Sequence, residues 1–207
     1  MDRRVVAEFF ATATMVAGGC WSVAQGHSAL VVSAVFGGLV TLMILIAGPV
    51  SGAHINPAVS IALCRDGRLE PHLLGAYMCA QLTGGIVAAL LTGGAGPTLP
   101  SPSVHVMEAF AVEVVITMLL MASILWVINR TSDMRVIAGV VGLTVGVLAF
   151  STGHLTGASM NPARTVGPNL LNGAWWSLPM YWTSTTLGAW LAVDLKRAMA
   201  GAVKRSS

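Results

Sequence analysis

Apolar residues in this chain are gathered into six long segments, roughly 5–24, 30–47, 72–92, 105–128, 136–152 and 177–195, each nearly free of charge. At 1.5 Å of rise per residue such segments suit a lipid core about 30 Å thick. Two further apolar pieces, 56–64 and 161–171, are too short to span it. Each begins at an Asn-Pro pair and follows a Gly-containing loop. Proline in the first helical turn loses no hydrogen bond and has a suitable φ, so Asn56-Pro57 and Asn161-Pro162 read as helix starts. A helix of about ten residues that starts inside a membrane protein is a re-entrant half-helix. The pattern predicts an all-α membrane protein with six transmembrane helices and two re-entrant half-helices.

Composition points the same way. Of 207 residues, 55% are hydrophobic and only 9% charged, against about a quarter charged in soluble domains. That excludes a secreted disulfide scaffold, a nucleic-acid reader and a disordered tail, and makes membrane lipid the expected partner. Cys20, Cys64 and Cys79 form no CxxC and sit in apolar stretches, so they are expected to be buried free thiols, with no metal site. The opening Met1-Asp2-Arg3-Arg4 precedes an apolar run that Glu8 interrupts, and it reads as a retained first span rather than a signal peptide.

The net charge of +3 sets orientation. Arg3, Arg4, Arg65, Arg68, Arg130, Arg135, Lys196, Arg197, Lys204 and Arg205 all fall on one side of six crossings, and the positive-inside rule makes that side the cytoplasm, with both termini on it. Arg164 alone is left over, in the second short helix. Trp21, Trp126, Trp175, Trp176 and Trp190 lie near predicted span ends, as an interfacial belt requires. The sequon Asn129-Arg130-Thr131 falls on the cytoplasmic side and is discarded.

The chain also repeats itself. Ala7-Glu8-Phe9-Phe10-Ala11-Thr12 matches Val112-Glu113-Val114-Val115-Ile116-Thr117, and Ser51-Gly52-Ala53-His54-Ile55-Asn56-Pro57-Ala58 matches Thr156-Gly157-Ala158-Ser159-Met160-Asn161-Pro162-Ala163. Both pairs share one offset of 105 (113 − 8 and 161 − 56), as do Gly37 and Gly142. In the last span the register slips by one, pairing Tyr77 with Tyr181 and Gly84 with Gly188. Three spans per copy mean that the second copy enters from the opposite face, an inverted 3+3 repeat. The reading is a single channel domain, 1–207, with repeat one at 1–95, repeat two at 104–200 and a cytoplasmic tail at 201–207.

The two half-helices should therefore meet tip to tip near the midplane. Each N-terminus carries about half a positive elementary charge, in surroundings of low dielectric that strengthen its effect. A cation entering there faces a barrier; a neutral molecule does not. The amides of Asn56 and Asn161 can donate to a passing oxygen, and the loops before them can offer carbonyls. Irregular backbone at this depth is tolerated where it lines a cavity or is buried in protein.

The paired Asn-Pro-Ala boxes (Asn56, Pro57, Ala58; Asn161, Pro162, Ala163), Glu8 and Glu113, Arg164, and Ala80-Gln81 with Gly84 together resemble the aquaporin or major intrinsic protein family over nearly the whole chain. The resemblance implies a pore in each subunit of a homotetramer in the cell membrane. Such a pore conducts water, glycerol or other small uncharged solutes passively and uses no cofactor. It implies Asn56 and Asn161 as central donors, though both also suit helix caps. Arg164 would stand at the narrow filter, with a structural salt bridge as the alternative; an intramembrane arginine is functional by default. Glu8 and Glu113 would support the half-helix loops, and a proton-coupled transporter is the other reading of them. His54 would lie near the cytoplasmic part of the pore, His154 near the outer vestibule. Gly142 and Gly146, at GxxxG spacing, suggest a close helix contact.

By spacing from the boxes, the family's four filter positions fall on Phe36, Ala149, Ala158 and Arg164. Water channels usually resemble Phe-His-small-Arg, and Ala149 in place of His implies a wider, more apolar constriction. Thr165 and Tyr181-Trp182 resemble the water-channel style, and Thr183-Ser184-Thr185 replaces a common Gly-Pro. The run from Ala158 to Pro168 is most similar to the nodulin-like branch and its bacterial relatives, which carry glycerol, urea and neutral metalloid acids such as arsenous acid. The expectation is a multi-solute channel, with a water-selective one as alternative. An enzyme or adhesive protein is disfavoured: HExxH, P-loop and GxSxG motifs do not occur, and the loops are short.

Overall fold

The computed structural model describes residues 2–206, with side chains through residue 201. The elements in order are α1 (Arg3–Ala24), α2 (Ala29–Ser51), the short α3 (Pro57–Arg65), α4 (Pro71–Leu91), α5 (Val106–Ile128), α6 (Met134–Thr156), the short α7 (Pro162–Leu171) and α8 (Leu178–Ser206). Six transmembrane helices and two half-helices are thus in place. Polar side chains start them: Asp2, Ser28 and Asp133 accept from backbone N–H groups in the first turns of α1, α2 and α6, and His105 with Glu108 forms a capping box on α5. Left-handed glycines, Gly52 and Gly157, end α2 and α6.

Both of those helices run four residues beyond the apolar segments that announced them. The helices continue through Pro49-Val50-Ser51 and Gly153–Thr156 and stop only at the left-handed glycines, with Ser51 and Thr156 buried at their ends. The expected tail is also helical: α8 continues through Ser206, while Ser207 and the side chains of 202–206 lie outside the described residues.

Among the described residues, five helices are long and apolar enough to span a membrane by length and composition alone. The sixth, α8, is less so because Tyr181 to Thr185 is polar. Its packing identifies it: α8 lies on α5 as α4 lies on α1. Hydroxyls of Thr183 and Thr185 donate back to the carbonyls of Pro179 (2.6 Å) and Tyr181 (2.7 Å), and the helix is continuous through the segment where Gly-Pro is common.

The two copies match in their crossings. A Cβ at Gly84 would lie 2.6 Å from the Phe9 carbonyl, and Gly188 meets the Val114 carbonyl in the same way. Gly37 and Gly142 bring the backbones of α2 and α6 together, with Gly146 beside them. Outside this interior the surface is apolar: Phe10, Leu30, Ile46, Leu90, Leu91 and Leu143 are all more than 60% exposed, the arrangement lipid accepts and water does not.

The basic residues gather at one end. Arg4 reaches Glu70 (3.7 Å), Arg65 pairs with Asp194 (2.5 Å), Asp66 with Lys196 (2.7 Å), and Arg68 donates to Asn129. The guanidinium groups of Arg65 and Arg130 lie over the Trp190 and Trp126 rings. Cys20 is buried as expected, but Cys64 is half-buried and Cys79 exposed. Cys79 corrects the expectation of three buried thiols: it sits on the outward face of α4, where an apolar side chain meets lipid and burial in protein is not required.

Candidate functional site

Asn56 and Asn161 cap the half-helices that follow them. The Asn56 Oδ1 accepts from Ala58 N, and the Asn161 Oδ1 from Ala163 N and Arg164 N. Pro57 and Pro162 occupy the first helical positions. Each Asn then donates through Nδ2 to the opposite loop: Asn56 to the Met160 carbonyl and Asn161 to the Ile55 carbonyl, both at 2.8 Å. This reciprocal exchange joins the two half-helix tips inside the protein. A carboxamide nitrogen carries two hydrogens, so each Asn keeps a second one for another acceptor.

The loops that lead into the half-helices are strained. Ala53, Ile55, Ala158 and Met160 have φ values of 46°, 44°, 44° and 51°, a region that costs a non-glycine residue roughly 1–3 kcal/mol. Two fully buried carboxylates hold them. Glu8 accepts from His54 N (2.9 Å), Ile55 N (2.7 Å), the Ser51 hydroxyl (2.7 Å) and Gln81 Nε2 (2.8 Å). Glu113 accepts from Ser159 N (2.8 Å), Met160 N (3.0 Å) and the Thr156 hydroxyl (2.7 Å). Tyr77 and Tyr181 donate to the Ser51 and Thr156 carbonyls at 2.8 and 2.6 Å. The left-handed non-glycine residues had no sequence signal of their own, since Ala, Ile and Met normally avoid that region.

A cavity of about 630 Å³ is lined by both tips. Its lining extends from Val23, Pro97 and His154 at one end, over Phe36, Ala149, Ala158 and Arg164 and then Asn56 and Asn161, to Leu63, Arg68 and Met134 at the other. Its walls are mostly apolar. Met160, whose carbonyl accepts from Asn56, and Ile55, whose carbonyl accepts from Asn161, are among its lining residues. Val59 occupies in the first repeat the place that Arg164 takes in the second, and both line the cavity.

All four positions identified by spacing line this cavity. The Arg164 guanidinium lies 5.0 Å from the centre of the Phe36 ring and donates through one terminal nitrogen to the Gly96 carbonyl (2.6 Å). That contact is with a backbone oxygen, not a carboxylate, so the guanidinium is not consumed by a salt bridge. Gly19 leaves room for the Phe36 ring, which would overlap a Cβ there. Ala149 is half-buried and Ala158 buried. His54 lines the cavity but packs edge-on against Tyr77 (5.2 Å) and shares a hydrogen bond with Ser60 (3.1 Å). His154 is exposed at the mouth. Glu8 and Glu113 stand behind the loops, out of the lining.

Sequence reasoning missed the contacts that the loop between α4 and α5 makes with α7 through Gly96 and Thr98. Their signal was present: Asn169 is polar in an apolar half-helix, where repeat one carries Cys64 (169 − 64 = 105).

A family model described as Major intrinsic protein matches residues 1–195. Aquaporin NIP1-1 of Zea mays is 34% identical over 200 residues, covering 90% of this chain and 71% of that protein. Aquaporin AqpM of Methanothermobacter thermautotrophicus is 35% identical over 176 residues, covering 76% and 71%, and Aquaporin-8 of Mus musculus 31% over 212 residues, covering 95% and 81%. Among solved structures, the aquaglyceroporin from Plasmodium falciparum superposes with a TM-score of 0.85 at 24% identity and 93% coverage of both chains, a likeness of fold.

Proposed function

The chain belongs to the major intrinsic protein family, a family of membrane channels, and on that premise we propose that it passively conducts water together with small uncharged solutes: glycerol, urea and neutral metalloid acids such as arsenous acid. The observation that carries the proposal is the reciprocal bonding of Asn56 to the Met160 carbonyl and of Asn161 to the Ile55 carbonyl. It turns two helix N-termini, with their partial positive charge, toward one passage. A neutral hydroxylated solute can accept from the second N–H of each Asn and donate to loop carbonyls as it sheds water. A cation, protons included, meets the two N-termini and the Arg164 guanidinium with no carboxylate among the described lining residues to offset them, which supports exclusion of ions.

Phe36, Ala149, Ala158 and Arg164 form the proposed filter. Ala149 offers a methyl group where a hydrogen-bonding ring would narrow the passage, so the carbon side of a polyol can rest on Phe36 and Ala149 while its oxygens face Arg164. The close approach of Arg164 to Phe36 favours a second reading, a water-selective pore. A proton-coupled transporter is disfavoured because Glu8 and Glu113 are fully buried, hold backbone N–H groups and do not line the cavity. The protein is proposed to work as a channel rather than an enzyme, and without a cofactor. Each subunit of a homotetramer would hold its own pore, in the cell membrane with the basic end and both termini in the cytoplasm.

Stopped-flow light scattering on proteoliposomes tests this. Water, glycerol and arsenous acid should each cross faster than through bare liposomes, without saturation and without dependence on pH or sodium gradients. Water flux without glycerol flux selects the water-selective reading, and steady ionic current would overturn both.

A further inference from the structure

Asn169, on α7, is fully buried and does not line the cavity. Its carboxamide is engaged by the loop between α4 and α5. Oδ1 accepts from Thr98 N (2.9 Å), while Nδ2 donates to the Thr98 carbonyl (2.8 Å) and to the Ser177 hydroxyl (2.8 Å). Because a backbone N–H only donates and a carbonyl only accepts, this pairing admits a single orientation of the amide. The Thr98 hydroxyl adds a bond to that of Thr165 (2.8 Å), one residue after Arg164. Two residues before Thr98, the Gly96 carbonyl accepts from Arg164 (2.6 Å). On the other side of Gly96, Asn172 donates to the Gly94 carbonyl. The loop is thus tied to α7 on both sides of the oxygen that holds the guanidinium.

We propose that Asn169 is a positioning residue for solute selection: by clamping Thr98 it fixes the Gly96 carbonyl, and through it the Arg164 guanidinium against Phe36. The inference rests on the reading of the cavity as a channel narrowed at Arg164. Repeat one carries Cys64 at the matching place and Val59 in place of the arginine, so the clamp occurs only where there is a guanidinium to hold. Without it the loop, which passes through left-handed glycines at 93, 94 and 96, loses the tie that sets its depth. Arg164 then swings away from Phe36 and the passage opens to larger solutes.

The test measures glycerol and water permeability of the full-length protein in proteoliposomes. Asn169→Leu keeps the number of side-chain heavy atoms and removes all the bonds. Asn169→Asp keeps the shape and one acceptor but sets a carboxylate oxygen against the Thr98 carbonyl. Each should raise the glycerol-to-water ratio about fivefold to tenfold, the change in rate that one hydrogen bond of ordinary net strength produces. If Asn169→Leu does not reach the membrane folded, Asn169→Asp carries the measurement. With Arg164→Ala also present, Asn169→Leu should leave the ratio where Arg164→Ala alone puts it, because no guanidinium remains to position. A merely structural role would lower water and glycerol flux together in both backgrounds, and that result, or an unmoved ratio with Arg164 intact, overturns the proposal. Wild-type protein that conducts no better than bare liposomes would overturn the channel reading, and the positioning role with it.

Discussion

Glu113→Gln exchanges one carboxylate oxygen for an NH₂ group at unchanged volume. If the oxygen lost is the one facing Met160 N, two donors face each other at what was a 3.0 Å bond; if it is the other, bonds from both Ser159 N and Thr156 are lost. The first arrangement costs less. It removes a charge-assisted hydrogen bond, about 1.5–3 kcal/mol, and leaves a buried N–H without a partner. The remaining two bonds become neutral, so the total is about 2–4 kcal/mol. At roughly 2–4 °C per kcal/mol for a chain of this length, the melting temperature should fall by about 5–15 °C.

The effect on flux should be larger than that on stability. Met160 at φ 51° and Ala158 at 44° are held against their own preference, and releasing Met160 N lets the loop relax. The Met160 carbonyl then leaves Asn56, and the joined tips separate. Thermal unfolding in detergent, followed by tryptophan fluorescence, reads the first quantity; stopped-flow water permeability at equal protein density reads the second. A Glu113→Gln protein with wild-type melting temperature and wild-type flux would refute the claim that this carboxylate anchors the half-helix loop.

Three further outcomes are expected. Ala149→His should narrow the proposed filter and reduce glycerol flux while sparing water; equal loss of both in proteoliposomes would contradict the filter assignment. Asp66 is pushed up by its burial, but hydrogen bonds from Lys196 and Arg68 outweigh this and hold its carboxyl below the usual carboxylate range. A depressed folded-state value means the stabilisation is complete above the ordinary carboxylate range and is lost as pH falls through the lowered one, so the tie between the α3 end and α8 should weaken below about pH 4; Asp66→Asn should flatten that part of a melting-temperature profile, and an unchanged profile would argue against the link. Gly85→Ala would drive a Cβ into the Ala163 carbonyl where α4 meets α7, and should cost about 1–3 kcal/mol as overpacking does, read as a lower melting temperature.

Particular residues show why some of this was legible before any coordinates. Glu8 with Glu113 and Asn56 with Asn161 recur at one offset, and a repeated motif in an odd number of spans has only one arrangement in a membrane. The half-helices, their capping asparagines and the cavity between them follow from that. Cys79 and the reach of α2 and α6 did not, because an apolar side chain looks the same in sequence whether it meets lipid or protein. The role of Asn169 was hidden for a related reason: its partner, Thr98, lies 71 residues away in a loop with no periodic pattern.

The amino-acid order alone determined the number of helices, their inverted relation and the residues at the helix tips, since these depend on local hydropathy, proline and charge, all of which act along the chain. Only the tertiary structure decided which oxygen receives the Arg164 guanidinium, which hydrogens of Asn56 and Asn161 remain free, and how four non-glycine residues are held at positive φ. Those are matters of tenths of an ångström between segments far apart in sequence, and they are set by the packing of the whole bundle, not by any one stretch of it.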